Sequence, residues 1–271
     1  MTAPAIDTAP PRTFSLLAMM KSDAAVRILA GIVILLLWEI GVLTLAPAFV
    51  ARPSGIIAVL PKVLSSPEFW IQARATLVAV FQGLAIAFVT GTIVGVGIGR
   101  IKFIDRFTSV YVSALFAVPM TAILPLFSLW FGFTSDARLA TVVFASFFSI
   151  VVNVSDGARS VPPEFIEVSR SFRGGALSRL FEVILPSSTP YLLAGLRLAA
   201  GRALIGAVVA EFFTTIPGLG FYILFQARTF HHNEAFVGVL VLAGAGVLFE
   251  TVLRTVTTRY MPWYRRGEAG S

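Results

Sequence analysis

Cysteine is absent from the 271 residues, and charge is scarce: Asp, Glu, Lys and Arg make up 13% of positions, against roughly 25% in an ordinary globular domain. The first absence excludes a disulfide scaffold, a thiolate zinc site, an iron–sulfur cluster and a cysteine nucleophile together. The second excludes a water-soluble fold, because so few charges cannot keep a surface in water when 57% of residues are hydrophobic. Lysine is rarer still. Lys21, Lys62 and Lys102 are the only lysines, none follows a glycine, and so no GxxxxGK(S/T) phosphate loop exists. The net charge of +7 does not point to nucleic acid, since the basic residues punctuate apolar runs instead of clustering on a soluble face with stacking aromatics. What is present is an all-α integral membrane chain.

A helix needs about 20 apolar residues to cross the hydrocarbon core, and six runs approach that length: Ile28–Ala46, Leu77–Ile98, Phe107–Ser135, Leu139–Ser155, Leu192–Phe213 and Ala235–Leu253. The third is long enough for a span plus an excursion. Six spans put both termini on one side, and the basic residues choose which. With the termini fall Arg12, Lys21, Arg27, Arg100, Lys102, Arg106, Arg159, Arg170, Arg173, Arg179, Arg254, Arg259, Arg265 and Arg266. Opposite them fall only Arg52, Lys62, Arg74, Arg138 and Arg228, so both termini are expected in the cytoplasm. Ala46-Pro47-Ala48 offers small residues of the kind that follow a signal peptide, but the first run is too long for a signal h-region of roughly 7–15 residues. Residues 1–25, with Pro4, Pro10 and Pro11, are expected to form a disordered tail, 26–264 the membrane domain and 265–271 a second tail.

Inside the runs, glycine, proline and charge stand out. Gly91 and Gly95 at i, i+4, with Gly97 and Gly99, suit close helix approach in lipid; no strand or acidic partner makes them a dinucleotide site. Pro119 and Pro125 each remove a backbone donor and kink any helix that holds them. The freed carbonyls need protein or a water-filled cavity, which makes Pro119, Met120, Thr121 and Pro125 candidates for a pathway lining, with a plain structural kink as the alternative. Arg197 and Arg202 within the fifth run have two readings: snorkelling near the cytoplasmic end, or a cationic lining for an anionic substrate. Glu211 falls where that span reaches the outer side, which predicts a carboxylate at the water. Neither it nor Glu39 has a partner identifiable from sequence.

The longest charged stretch, about 157–190, is no random linker. Phe165, Val168, Phe172, Leu177, Leu180, Phe181 and Ile184 recur at helical spacing, opposite Glu167, Arg170, Gly174, Ser178 and Glu182. This predicts two short amphipathic helices, hinged at Gly174-Gly175 and stopped at Pro186, whose apolar ridge docks into a partner's groove or lies on the membrane.

The segment EVSRSFRGGALSRLFEVILP resembles the EAA motif of binding-protein-dependent ABC importer permeases. Glu167 matches its Glu, Val183 stands at its Ile, and Leu185 and Pro186 match its Leu-Pro end. Val168 and Ser169 replace the two alanines, and Arg173 stands where the motif has Gly, with Gly174 one position later. The resemblance extends from about Thr76 to Tyr264, through VPMTAILPLFSLWFG, GLRLAAGRALIGAVVAEFF and PGLGFYI, and is nearest to the nitrate, sulfonate and taurine type. It implies a type I importer permease of about six transmembrane helices in a bacterial cytoplasmic (inner) membrane. Its coupling-helix loop sits on a cytoplasmic ATP-binding subunit. A second permease copy, expected as a homodimer, completes the pathway, and an extracytoplasmic solute-binding protein delivers the substrate. ATP and Mg belong to the partner ATPase, so no cofactor is expected on this chain and no enzyme activity of its own. The expected cargo is a small organic or inorganic anion; an aromatic or heterocyclic compound or vitamin precursor is the alternative.

Other classes have less behind them. His231, His232 and Glu234 are the material for a membrane-embedded hydrolase, but adjacent histidines diverge on a helix, and neither HExxH nor GxSxG is present. A secondary transporter or channel would be marked by inverted repeats or by acidic coupling residues at the midplane, and neither is visible.

Overall fold

The computed structural model describes residues 23–45 and 50–260. The tails expected at 1–25 and 265–271, the Ala46-Pro47-Ala48 stretch, and Arg12, Lys21, Arg265 and Arg266 lie wholly or largely outside the described residues. Among the described residues there is no strand.

Two compact units divide the chain, Met1–Ala58 and Val59–Ser271. In the first, α1 (Asp23–Leu45) is apolar on nearly every face, with Ile28, Ile34 and Leu37 exposing 65%, 64% and 66% of their surface. Such a helix is at home only in lipid. Its carboxylate has a local partner after all: Glu39 accepts from the Ser54 amide at 3.0 Å and the Ser54 hydroxyl at 2.7 Å. Ser54 lies in the first turn of α2 (Pro53–Leu64), where orphan amides and the helix dipole favour a negative charge.

In the second unit, α3 (Pro67–Arg100) and α9 (Leu185–Thr214) both pack against α6 (Ser135–Arg159), the most enclosed span, and also touch each other. Hydrophobic burial gives helices little preference for each other over lipid, so close backbone approach has to supply the attraction. The expected glycines do this. A Cβ on Gly91 would stand 3.0 Å from Ile150 Cγ2, on Gly95 2.8 Å from Val154 Cβ, and on Gly99 2.6 Å from the Ser155 carbonyl. Gly97 meets only Ile104, at 3.8 Å. The core formed between the three helices is correspondingly small in side chain: Ala87, Ala199, Ala203 and Ala207 alternate with Val142, Ile150 and Val154.

The third run becomes a sharply bent pair. α4 (Lys102–Ala117) and α5 (Met120–Phe131) meet at 99° across Val118 and Pro119, both extended. Proline bars the residue before it from the helical region and supplies no amide of its own. Neither half alone is long enough to cross, whereas α1, α3, α6, the helix through α9, and α11 (His232–Tyr260) are. The described residues thus hold five helices long and apolar enough to cross a membrane, or six candidate spans when the bent pair counts as one. Pro125 sits inside α5 without ending it. The short α10 (Leu219–Arg228) precedes α11.

Candidate functional site

The loop between α6 and α9 is built on an anchored inner face. α7 (Pro163–Ser171) turns Ile166 inward, where it is buried with Ile184, Ala158 and Val161. Phe165, Val168, Phe172, Leu177 and Phe181 are left exposed, Phe172 by 84%. These are five of the seven apolar residues expected on the ridge; Ile184 turns inward with Ile166, and Leu180 packs against their cluster. Between α7 and the following helix lies a groove of about 530 Å³ bordered by Val168, Ser169, Phe172, Ser178 and Glu182.

The turn after α7 satisfies its carbonyls in a Schellman arrangement: the Gly174 amide donates to the Ser169 carbonyl at 2.9 Å and the Arg173 amide to that of Arg170 at 2.8 Å. This motif demands a left-handed residue, and that residue is Arg173, at φ 58°. A non-glycine residue pays roughly 1–2 kcal/mol there. Gly174 has a different duty, since a Cβ on it would stand 2.7 Å from Ser169 Oγ. Arg179 Nη1 then donates to the Gly174 carbonyl at 2.9 Å, and Ser178 Oγ to Glu182 Oε2 at 2.7 Å. Glu167 is exposed, Val183 is half-buried against the Ile184 cluster, and Ser169 borders the groove.

One expectation about the loop fails. Pro186 does not stop the second helix; it is the second residue of α9, directly after a turn of wider, π-helical hydrogen bonding. α8 (Ala176–Arg179), a π-helical turn at Leu180–Ile184 and α9 form one continuous rod of 39 residues, Ala176–Thr214. Leu185 packs against the core between the spans. Beneath the loop, Arg159 pairs with Asp105 and with Asp156, and Arg100 donates to the Ala158 carbonyl at 3.2 Å, tying α3, α4 and α6 together.

The intramembrane charges divide into two kinds. Glu211 is not at the water: it is fully buried, and Arg138, expected in an outer loop, is 8% exposed beside it. Arg138 Nη1 donates to Glu211 Oε1 at 3.0 Å and to the Pro217 carbonyl at 2.9 Å. Thr76 Oγ1 donates to Glu211 at 2.8 Å while accepting the Leu219 amide at 2.7 Å, and the Gly220 amide donates to Glu211 Oε2 at 2.7 Å. One carboxylate thereby joins α3, α6 and α9 to the turn that enters α10. The turn wraps so closely that a Cβ on Gly218 would overlap the Glu211 carboxyl, which accounts for glycine in the PGLG stretch. No local pattern marks this network, because Thr76, Arg138 and Glu211 lie far apart in the chain.

Arg202 is the opposite case. Its guanidinium carbon lies 4.1 Å from the centre of the Phe116 ring, with no carboxylate paired to it among the described residues. It borders a cavity of about 250 Å³ behind the α4–α5 bend, together with Leu115, Phe116, Met120, Phe144 and Phe148. Of the residues expected to line a pathway, the structure thus brings together Met120 and Arg202. Pro125 borders a separate cavity with Ser128 and Phe213. Pro119, Thr121 and Arg197 are exposed.

His231 Nδ1 lies 3.1 Å from Thr229 Oγ1, His232 meets the Phe230 ring edge-on, and Glu234 faces Lys62 at 4.0 Å. Among the described residues, no group of three His, Asp or Glu side chains could hold a metal.

Residues 87–266 match the family described as binding-protein-dependent transport system inner membrane component. The chain is 27% identical to the putative aliphatic sulfonates transport permease protein of Bacillus subtilis over 85% of this chain and 84% of that one. It is also 27% identical to the formylaminopyrimidine transport permease protein of Halalkalibacterium halodurans, over 87% and 94%. Identity to the taurine transport system permease protein of Escherichia coli is 26%, over 84% and 85%. A crystal structure of an amino acid ABC transporter superposes with a TM-score of 0.57 at 18% identity, covering 74% of this chain and 96% of that one, which shows the shared fold. The chain belongs to the binding-protein-dependent transport system inner membrane components: it is a multi-pass membrane permease subunit of an ABC importer, a transport protein and not an enzyme.

Proposed function

We propose that this permease imports a small anion, with its 157–190 loop as the element that couples ATP hydrolysis in a separate cytoplasmic subunit to movement of the spans. The carrying observation is the exposed ridge of Phe165, Val168, Phe172, Leu177 and Phe181 on an inner face pinned by Ile166 and Ile184. A docking element of this kind is apolar outside and rigid inside. Glu167, Val168, Ser169, Arg173 and Gly174 form its first arm and turn; Val183, Leu185 and Pro186 lead the second arm into α9. ATP and Mg reside on the partner, and a solute-binding protein delivers the cargo from outside.

A second copy of the chain completes the pathway as a homodimer, and both termini lie in the cytoplasm of the inner-membrane assembly. The even number of crossings, with the bent pair counted as one, supports this orientation. So does the burial of Arg138, which removes it from the tally of basic residues outside. The domain limits follow: tails at 1–25 and 265–271 around a membrane domain at 26–264.

Pro119, Met120, Thr121, Pro125, Arg197 and Arg202 are assigned to the pathway. Two arginines on α9 without ion-paired carboxylates favour an anionic cargo of the sulfonate, taurine or nitrate kind. The aromatic walls Phe116, Phe144 and Phe148 favour a second reading, an aromatic or heterocyclic compound.

The coupling assignment is tested by Glu167→Arg in the assembled importer. Membrane insertion should match the wild type while uptake per ATP hydrolysed falls at least tenfold; unchanged coupling would remove the loop from this role.

A further inference from the structure

The geometry points to Arg202 and its cavity as a recognition site for an organic monoanion: a sulfonate or carboxylate head on an apolar body that carries no cationic group. This rests on the reading of the chain as an anion-importing permease, and adds where in the membrane the cargo is read and which anions it favours.

A guanidinium remains protonated in any protein environment and presents five N–H donors in a plane that fits two oxygens of one oxyanion. Within a span those donors must find acceptors, because lipid offers none. The fold shows how it treats an arginine that is purely structural: Arg138 is paired with Glu211 and a backbone carbonyl and is sealed from solvent. Among the described residues Arg202 meets only the Phe116 ring face, 4.1 Å away, and a ring face attracts the charge without accepting all the donors. Its open side is the cavity of about 250 Å³.

The lining narrows the ligand. Apart from Arg202, the cavity walls are apolar or aromatic, from Leu115, Phe116, Met120, Phe144 and Phe148. The volume falls below the roughly 300–1,000 Å³ of sites for drug-sized molecules, so the ligand is small. An inorganic anion leaves the apolar walls without a contact. A zwitterion brings an ammonium that no carboxylate in the cavity can pair with, and burying such a charge unpaired is costly. An organic monoanion satisfies both halves of the site: its head meets Arg202 and its body lies among Phe116, Phe144 and Phe148.

The test uses the importer complex purified in detergent without its binding protein and titrated by calorimetry with benzenesulfonate, benzoate, taurine and nitrate. Benzenesulfonate, benzoate or both should bind saturably, one per permease chain, and the tighter of the two identifies the preferred head. Taurine and nitrate should bind at least tenfold more weakly. Arg202→Gln should weaken binding at least tenfold and Arg202→Lys less, because the charge remains while the planar fork is lost. Should Arg202→Gln fail to assemble, Phe116→Leu carries the test with a several-fold loss. No saturable binding of either aromatic anion, equal binding of taurine, or an equal loss in Arg197→Gln would each overturn the assignment. Co-purification of the ATPase is scored in the same preparations: a wild-type chain that binds benzenesulfonate but recovers no ATPase would leave the site standing and sink the importer reading.

Discussion

Arg138 on α6 and Arg202 on α9 are both arginines within apolar helices, yet one meets a carboxylate, a backbone carbonyl and closed packing, while the other meets a ring face and an open cavity. The partners come from different distances. Arg138 is completed by Glu211, 73 positions away, and Glu211 in turn by Thr76, 135 positions away, so that the charge is compensated by the fold itself. Arg202 is given its ring by the α4–α5 bend and its volume by the rings of α6. The comparison teaches that a charge in a span is not by itself a functional mark; what matters is whether the fold has already paired it with an opposite charge.

Three substitutions press on that difference. The largest effect is expected for Arg138→Leu, which strands the buried Glu211 carboxylate. Removing one partner of a buried pair costs about 3–5 kcal/mol, so the detergent-solubilised chain should lose most of its folded yield, measured by size-exclusion recovery and thermal melting. Stability like the wild type would break the comparison, because Arg138 would then be no more structural than Arg202. Thr76→Val should cost less, about 1–3 kcal/mol, by leaving the Leu219 amide without its acceptor. Its signature is faster amide hydrogen exchange at Leu219 and Gly220, with α6 and α7 unchanged. Smallest is the effect of Arg202→Leu on stability. The lost cation–ring contact is worth about 0.5–2 kcal/mol, against an arginine penalty of about 2.5–3.5 kcal/mol at mid-span. The melting temperature should therefore stay level or rise while anion recognition fails. A drop as large as that of Arg138→Leu would make the two arginines alike.

The spans, the amphipathic loop and the glycine seam were legible because each depends on residues close in sequence. Apolar length marks a crossing, small residues at i, i+4 mark a helix contact, and Phe165, Val168 and Phe172 mark one face of about two turns. The bend at Pro119 was legible for the same reason, although its angle was not. At Pro186 local reasoning overreached. Proline need not end a helix: Pro186 follows the π-helical turn at Leu180–Ile184 and Pro125 lies within α5, and both helices continue. Arg173 shows the reverse: the departure from the motif's glycine is visible in the sequence, but only the backbone shows that Arg173 itself takes the left-handed position at φ 58°.

Composition, apolar run length and the loop motif sufficed to identify an importer permease with five to six apolar spans, because membrane insertion and helix formation are decided by contiguous residues. The tertiary structure alone decided that Glu211 lies buried with Arg138, that Gly218 must be small, and that Arg202 faces an aromatic cavity. Each of these depends on an electrostatic or steric partner that only the folded chain brings alongside, and in a low-dielectric interior that partner determines whether a charge serves the fold or remains free to bind.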